Sequence, residues 1–281
     1  MPRILIVDCC DTASQTALAR LGARLNVPLF EEALRLHDPA VHCVPVNLAD
    51  QEMPAGVSLG DFDGVMLTGS PLCVCDPLPE VRRQIDFARA VFATGLPVWG
   101  SCYGLQLATV ALGGVVRRNP NGREIGVARG IALSDAGLAH PLLAGRPAVF
   151  DALCSHLDEV ETLPPGAMVL AGNAVSAVQA MAVRTPAGGT FFGTQYHPEL
   201  DLPVLAALLR LRPAALLAEA FARSEAELSG MAADWFALAA APERRDLAWR
   251  YGIGPEILDP HRRTLEIGNW LRSIVRMRLA A

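Results

Sequence analysis

The chain has 281 residues with 24 Lys+Arg against 29 Asp+Glu, a net charge of −5, and every one of its 24 cations is arginine. With no lysine there is no Schiff-base amine and no phosphate-loop lysine, and scattered arginines on an acidic chain exclude a nucleic-acid surface. A 52% hydrophobic, 19% charged composition is that of a compact globular protein.

In chain order, Arg3-Ile-Leu-Ile-Val-Asp8 reads as a buried parallel strand. Residues 12–36 follow with helical spacing of Leu18, Leu21, Leu25, Leu29 and Leu34. A second strand, Asp63-Gly-Val-Met-Leu-Thr68, ends in Gly69-Ser70-Pro71. Residues 78–94 are helical, with Val81, Ile85, Ala88, Val91 and Phe92 on one face. A third strand, Pro97-Val-Trp-Gly100, runs into Ser101-Cys102 and a helix from Tyr103 to Leu112. Strand and helix in alternation predict an α/β, doubly wound sheet.

Beyond Gly113-Gly114, the segments Val115-Val116, Ile125-Gly-Val127, Ile131-Ala-Leu133, Val149-Phe150, Val178-Gln-Ala180 and Phe191-Phe-Gly-Thr-Gln195 read as short strands continuing a mixed sheet. From about Pro203 the composition turns to Ala, Leu, Arg and Glu, interrupted by Pro213, Pro242, Pro255 and Pro260. We therefore divide the chain into an α/β domain, 1–210, and a C-terminal helical extension, 211–281, of three or four helices. No apolar run approaches the ~20 residues of a membrane helix, so neither a span nor a signal peptide is expected. The odd count of 7 cysteines fits reduced thiols in the cytoplasm.

Gly100-Ser101-Cys102-Tyr103-Gly104 has the form of a nucleophile elbow, a strand turning sharply into a helix with a thiol at the corner. The helix N-terminus there favours thiolate. A nucleophilic thiol needs a histidine, and the histidine needs a group to orient it. Gln195-Tyr196-His197-Pro198-Glu199 holds both: two positions apart on extended chain, His197 and Glu199 leave one face. Acyl transfer also requires oxyanion donors. The backbone N–H of Tyr103 is one; the other is expected from the loop Gly69-Ser70-Pro71, at the end of the neighbouring strand.

These motifs, in this order, resemble the class I (triad, Cys-His-Glu) glutamine amidotransferases, and among them most the glutaminase domain of GMP synthase. Thr68-Gly-Ser-Pro71, Leu112-Gly-Gly114, Arg123-Glu-Ile-Gly126 and Ser155-His-Leu-Asp-Glu-Val160 extend the likeness over about residues 1–205. The resemblance implies the flavodoxin-like doubly wound mixed sheet of the class I glutaminases. It implies Cys102 as nucleophile, His197 as base and then acid, Glu199 as its orienting group, and the backbone N–H groups of Ser70 and Tyr103 as oxyanion hole. Gly69, Gln106, Ser155 and His156 are implied substrate contacts, with no metal and no cofactor. Ser70 stands where glycine is common, which matters only if the position requires positive φ.

The expected reaction is hydrolysis of the glutamine side-chain amide through a γ-glutamyl thioester on Cys102. Since the sequence contains no recognisable synthetase domain, ammonia is expected to go to a separate acceptor subunit. The alternatives are a stand-alone γ-glutamyl hydrolase or peptidase with the same triad, and a non-catalytic regulatory module. Cys73-Val-Cys75 and Cys9-Cys10 read as spectator thiols, and His37, His42, His140 and His261 as surface or capping residues. Trp249, Tyr251 and Trp270 in the extension read as a cap on the sheet, with a homo-oligomer interface or a lid over Cys102 as alternatives.

Overall fold

A computed structural model of the protein describes residues 1–280, with side chains through Met277. The first half alternates as expected: β1 (Arg3–Asp8), α1 (Thr12–Arg20), α2 (Asn26–His37), β2 (His42–Asn47), β3 (Gly64–Leu67), α3 (Pro79–Phe92), β4 (Val98–Ser101) and α4 (Tyr103–Ala111). The second half is richer in strands: β5 (Val115–Arg118), β6 (Glu124–Leu133), α5 (Asp135–Ala139), β7 (Val149–His156), β8 (Asp158–Thr162), β9 (Met168–Gly172), β10 (Ala180–Arg184) and β11 (Thr190–Thr194). Nine strands form one sheet in the order β2-β1-β3-β4-β11-β10-β9-β6-β7, and β5 pairs with β8 apart from it. From β2 to β11 neighbours run parallel, and from β11 onward they run antiparallel. This is a doubly wound mixed sheet.

Three local expectations change. Residues 12–36 form two helices, because Gly22 at φ 80° turns the chain after α1. The segments at 125–127 and 131–133 are one strand, β6, bulged between Ala128 and Ile131. The helical stretch after α6 (Leu202–Leu211) holds six short or medium helices: α7 (Pro213–Ala218), α8 (Glu225–Ala240), α9 (Arg245–Tyr251), α10 (Pro255–Leu258), α11 (Pro260–Arg263) and α12 (Leu265–Ala280). Each proline that interrupts the pattern, Pro242 apart, opens a new helix, where its missing N–H costs nothing.

The C-terminal helices lie on the sheet. Trp270 of α12 is fully buried, 6.5 Å from Trp99 of β4 and edge-on to it. Gly64 admits this helix: a Cβ there would stand 2.7 Å from Ile274 Cδ1. On α8, Trp235 packs over Gly126, whose φ of 92° and lack of a side chain make room for the indole. Glu266 and Arg146 form a buried ion pair at 2.7 Å, and Tyr196 donates to the same carboxylate at 2.6 Å. Trp249, by contrast, is 76% exposed, with Arg245 over its ring. Among the described residues no helix is long and apolar enough to cross a membrane.

The strand order sets the location of chemistry. β1, β3, β4 and β11 are parallel neighbours, so the loops leaving their carboxyl ends converge on one edge, the crevice where doubly wound sheets bind ligands. Those loops carry Cys10, Gly69-Ser70, Cys102 and His197.

Candidate active site

Cys102 sits at the corner between β4 and α4 with φ 51° and ψ −104°, a conformation that non-glycine residues rarely hold. Its flanking glycines serve close packing and not the strained angle: a Cβ on Gly100 would lie 2.6 Å from the Gly104 carbonyl carbon, and one on Gly104 would lie 2.3 Å from the Leu67 carbonyl oxygen. The corner is pinned by Cys102 N–H donating to the Thr194 carbonyl at 2.7 Å.

His197 is anchored by its backbone N–H to the Leu153 carbonyl, 2.8 Å away. Its Nδ1 lies 2.6 Å from Glu199 Oε1, and both side chains are almost wholly buried. That bond leaves Nε2 for the nucleophile, and the Cys102 sulfur lies close enough to His197 to act on its charge. The thiol also faces the Ser155 carbonyl at 3.7 Å. Burial on its own would lower the imidazole's pKa, but the Glu199 carboxylate and the Cys102 sulfur outweigh it and raise His197 to about 10. At neutral pH the ring carries its proton. Gly69 makes room for that ring, since a Cβ there would stand 2.8 Å from His197 Cε1.

A fourth member extends the chain of contacts. Ser101 Oγ donates to Glu199 Oε2 at 3.0 Å and accepts from Trp99 Nε1 at 2.9 Å. The glutamate is thereby held by both oxygens, one on His197 and one on Ser101. Strand alternation puts Trp99 and Ser101 on one face of β4, a signal present in the sequence, although the serine's partner 98 positions away is not. Ser101→Ala removes a bond to a buried carboxylate, worth about 1.5–3 kcal/mol. A 10- to 100-fold loss of kcat/KM is the expected result, measured by steady-state kinetics.

The backbone N–H groups expected to serve as oxyanion donors are open. Among the described residues neither the Ser70 nor the Tyr103 backbone N–H meets a protein acceptor. Ser70 has no positive φ, so serine carries no strain there. The loop is tied down by Asn26 of α2, whose Nδ2 donates to the Gly69 carbonyl at 3.0 Å. Nothing in the sequence marked Asn26.

A cavity of about 950 Å³ opens over Cys102 and His197. Gln106 and Ser155 line it, and Gln106 Nε2 donates to the Asp158 carbonyl at 3.1 Å and to Gln195 Oε1 at 3.2 Å. His156 also borders it, but its ring is engaged elsewhere: Nε2 is 2.9 Å from Glu124 Oε2 and Nδ1 is 3.1 Å from the Asp158 carbonyl. Cys73 and Cys75 lie on the rim, Cys75 bonding the Val116 carbonyl; among the described residues they belong to no metal-binding group.

The cavity has two unlike ends. One is built by Gln106, Arg118 and Asp158, polar groups beside the β5–β8 pair. The other is built by Ala17 and Leu18 of α1 with Leu208 and Leu211 of α6, an apolar wall that Arg212 adjoins.

The sequence model of the family "Glutamine amidotransferase class-I" matches residues 29–207. Over 278 residues the chain is 32% identical to a gamma-glutamyl-L-1-hydroxyisopropylamide hydrolase from a Pseudomonas species, spanning 97% of this chain and 93% of that one. It is 37% identical over 180 residues to the glutamine-hydrolyzing GMP synthase of Thermomicrobium roseum, covering 63% of this chain but only 31% of the synthase. Among solved structures, a glutamine amidotransferase from Thermotoga maritima superposes with a TM-score of 0.66 at 17% identity, over 95% of this chain and 98% of that one, a likeness of fold.

Proposed function

The chain belongs to the class I glutamine amidotransferases, and from that premise we propose that it is a hydrolase of γ-glutamyl amides whose departing amine is larger than ammonia. Glutaminase-type hydrolysis of an amide on a γ-glutamyl group is the family's chemistry. The observation that carries the finer reading is the apolar end of the cavity, built partly by α6 and Arg212. The likeness to the Pseudomonas hydrolase continues through the helices beyond residue 207, where the family match stops.

In this reading the Cys102 sulfur attacks the γ-carbonyl carbon. The tetrahedral oxyanion is held by the backbone N–H groups of Ser70 and Tyr103. The C–N bond breaks as His197 passes its proton to the nitrogen, and the amine leaves; the γ-glutamyl group remains as a thioester. The neutral imidazole then takes a proton from water, which attacks the thioester. The C–S bond breaks, glutamate leaves, and the proton returns to the Cys102–His197 pair. Glu199 holds Nδ1 throughout. Gln106 and the carbonyls of the polar end receive the amino-acid portion.

The test is a comparison of kcat/KM for glutamine and for γ-glutamyl alkylamides with the purified chain. A preference of about tenfold or more for an alkylamide is expected, since each buried methylene adds ~0.8 kcal/mol. A preference for glutamine that rises further on adding an ammonia-consuming synthetase would return the reading to an amidotransferase subunit.

A further inference from the structure

Two side chains of α12, four positions apart and so on one face of the helix, meet residues that adjoin the triad. Trp270 packs edge-on to Trp99, which donates to the Ser101 hydroxyl that holds Glu199. Glu266 is fully buried and accepts from the Tyr196 hydroxyl at 2.6 Å. Tyr196 is fully buried as well, and it immediately precedes His197. Among the described residues neither Tyr196 nor Glu266 borders the cavity.

The Glu266 carboxylate is itself fixed. Arg146 Nε donates to Oε1 and Arg146 Nη2 to Oε2, each at 2.7 Å, and Nη2 also donates to the Arg263 carbonyl at 2.9 Å. The guanidinium stands over the Phe150 ring, and Phe150 is edge-on to Tyr196, so the four side chains close on one another. Burial and the nearby carboxylate push the Tyr196 phenol well above its usual range, which keeps it a donor. A phenol bonded to a carboxylate is charge-assisted and directional. Arg146 and Glu266 would satisfy each other without it, and a buried ion pair adds little stability over an apolar replacement. What the phenol adds is a fixed point one residue before the imidazole. Tyr196 is held from α12 and His197 from Glu199, so this short segment is clamped from two directions. Its main chain is tied by His197 N–H to the Leu153 carbonyl and by the Thr194 hydroxyl to the Tyr196 carbonyl, both at 2.8 Å.

We propose that Glu266 of α12 is a positioning residue for catalysis: by holding the Tyr196 hydroxyl it fixes the backbone that carries the His197 ring. The C-terminal helix thereby belongs to the catalytic apparatus, although the family match ends at residue 207. This rests on Cys102, His197 and Glu199 being the triad, and on no particular leaving amine.

The test is Tyr196→Phe, assayed on glutamine or a γ-glutamyl alkylamide, whichever the protein hydrolyses faster. It removes one hydroxyl and strands no buried group, since Glu266 Oε1 keeps its bond from Arg146. We expect kcat to fall ~3- to 30-fold, below the ~100-fold that a 1 Å misplacement costs, with KM changed less than about twofold. Among the described residues the groups that raise the charge on His197 are Glu199 and Cys102, working against burial. A ring set less well beside them holds its proton less firmly, so the alkaline limb of kcat should move down by about half a pH unit or more. A smaller folded fraction would scale activity equally at every pH and leave the limb in place. Asn269→Ala is the control: it removes the α12 bonds to the Leu142 and Ala144 carbonyls, and should lower the melting temperature without moving the limb. An unmoved limb in Tyr196→Phe, or an equal movement in Asn269→Ala, would overturn the role of Glu266. If Tyr196→Phe fails to fold, the double variant Arg146→Met, Glu266→Gln decides by the same limb, since it leaves no lone charge behind. His197→Ala separates the two readings: abolished turnover there with an unmoved limb in Tyr196→Phe rejects this proposal alone, whereas turnover retained without His197 rejects the triad.

Discussion

Cys102→Ala is expected to reduce kcat/KM for any γ-glutamyl amide by ~10⁴-fold or more, the loss expected when a covalent nucleophile is removed and only the binding site and oxyanion donors remain. The substitution deletes one sulfur from a side chain that is 5% exposed, so folding changes little and the melting temperature should stay within a few degrees. The geometry explains why no other group can substitute. Cys9 and Cys10 end a different strand, and burial pushes both of their thiols up, Cys10 to about 12; Cys154 is likewise buried and pushed up. Mass spectrometry of the unaltered protein mixed rapidly with substrate should show the γ-glutamyl adduct on Cys102, and the variant should show none. Residual turnover within tenfold of the parent would remove Cys102 from the mechanism.

Glu199→Gln is expected to cost 10²- to 10⁴-fold in kcat/KM, on the order of what an acid-to-amide change costs in a Ser-His-Asp triad, and to reshape the pH profile. His197 is lowered by burial and raised by Glu199 and Cys102, with a net rise to about 10. The protonated ring is the form that expels the amine, so the parent's activity should fall as pH rises through about 10. Without the carboxylate, burial prevails and the fall should move to lower pH. Stability has the same sign. A folded-state pKa raised above the ordinary 6.5 contributes stability that is complete below 6.5 and is lost as pH rises through about 10. The melting-temperature gap between parent and variant should therefore be wide at pH 6 and narrow at pH 10.5. An unmoved alkaline limb in the variant would mean that Glu199 does not set the charge on His197.

The fold is legible in the sequence where periodicity is clean and hidden where a rule meets its exception. β2 contains Pro45, which ordinarily argues against a strand; it is tolerated because β2 is an edge strand, with the proline away from a second neighbour. β8, Asp158-Glu-Val-Glu-Thr162, is too charged to look like sheet, but it belongs to a two-stranded pair that carries ions on its outer face, Arg117 with Glu159 and Glu161. At the site, the motif marks His156 but not its partners, Glu124 and the Asp158 carbonyl, which meet its two ring nitrogens. Ser101 lies inside the elbow motif, but its role is not visible there because it depends on a glutamate 98 residues later.

What the sequence determined by itself is the chemistry: an elbow is local, formed by a cysteine between small residues within five positions, and a histidine and glutamate two apart on extended chain share a face wherever that chain lies. What only the tertiary structure decided is everything that depends on which loops meet. Strand order puts β3, β4 and β11 side by side, so that Gly69 and His197 flank Cys102. The packing of α1 against α6 gives the cavity an apolar wall, and the junction of α6 with α7 sets Arg212 beside it. Periodicity records which residues face inward, and it carries no information about which inward face, nearly two hundred positions away, each will meet.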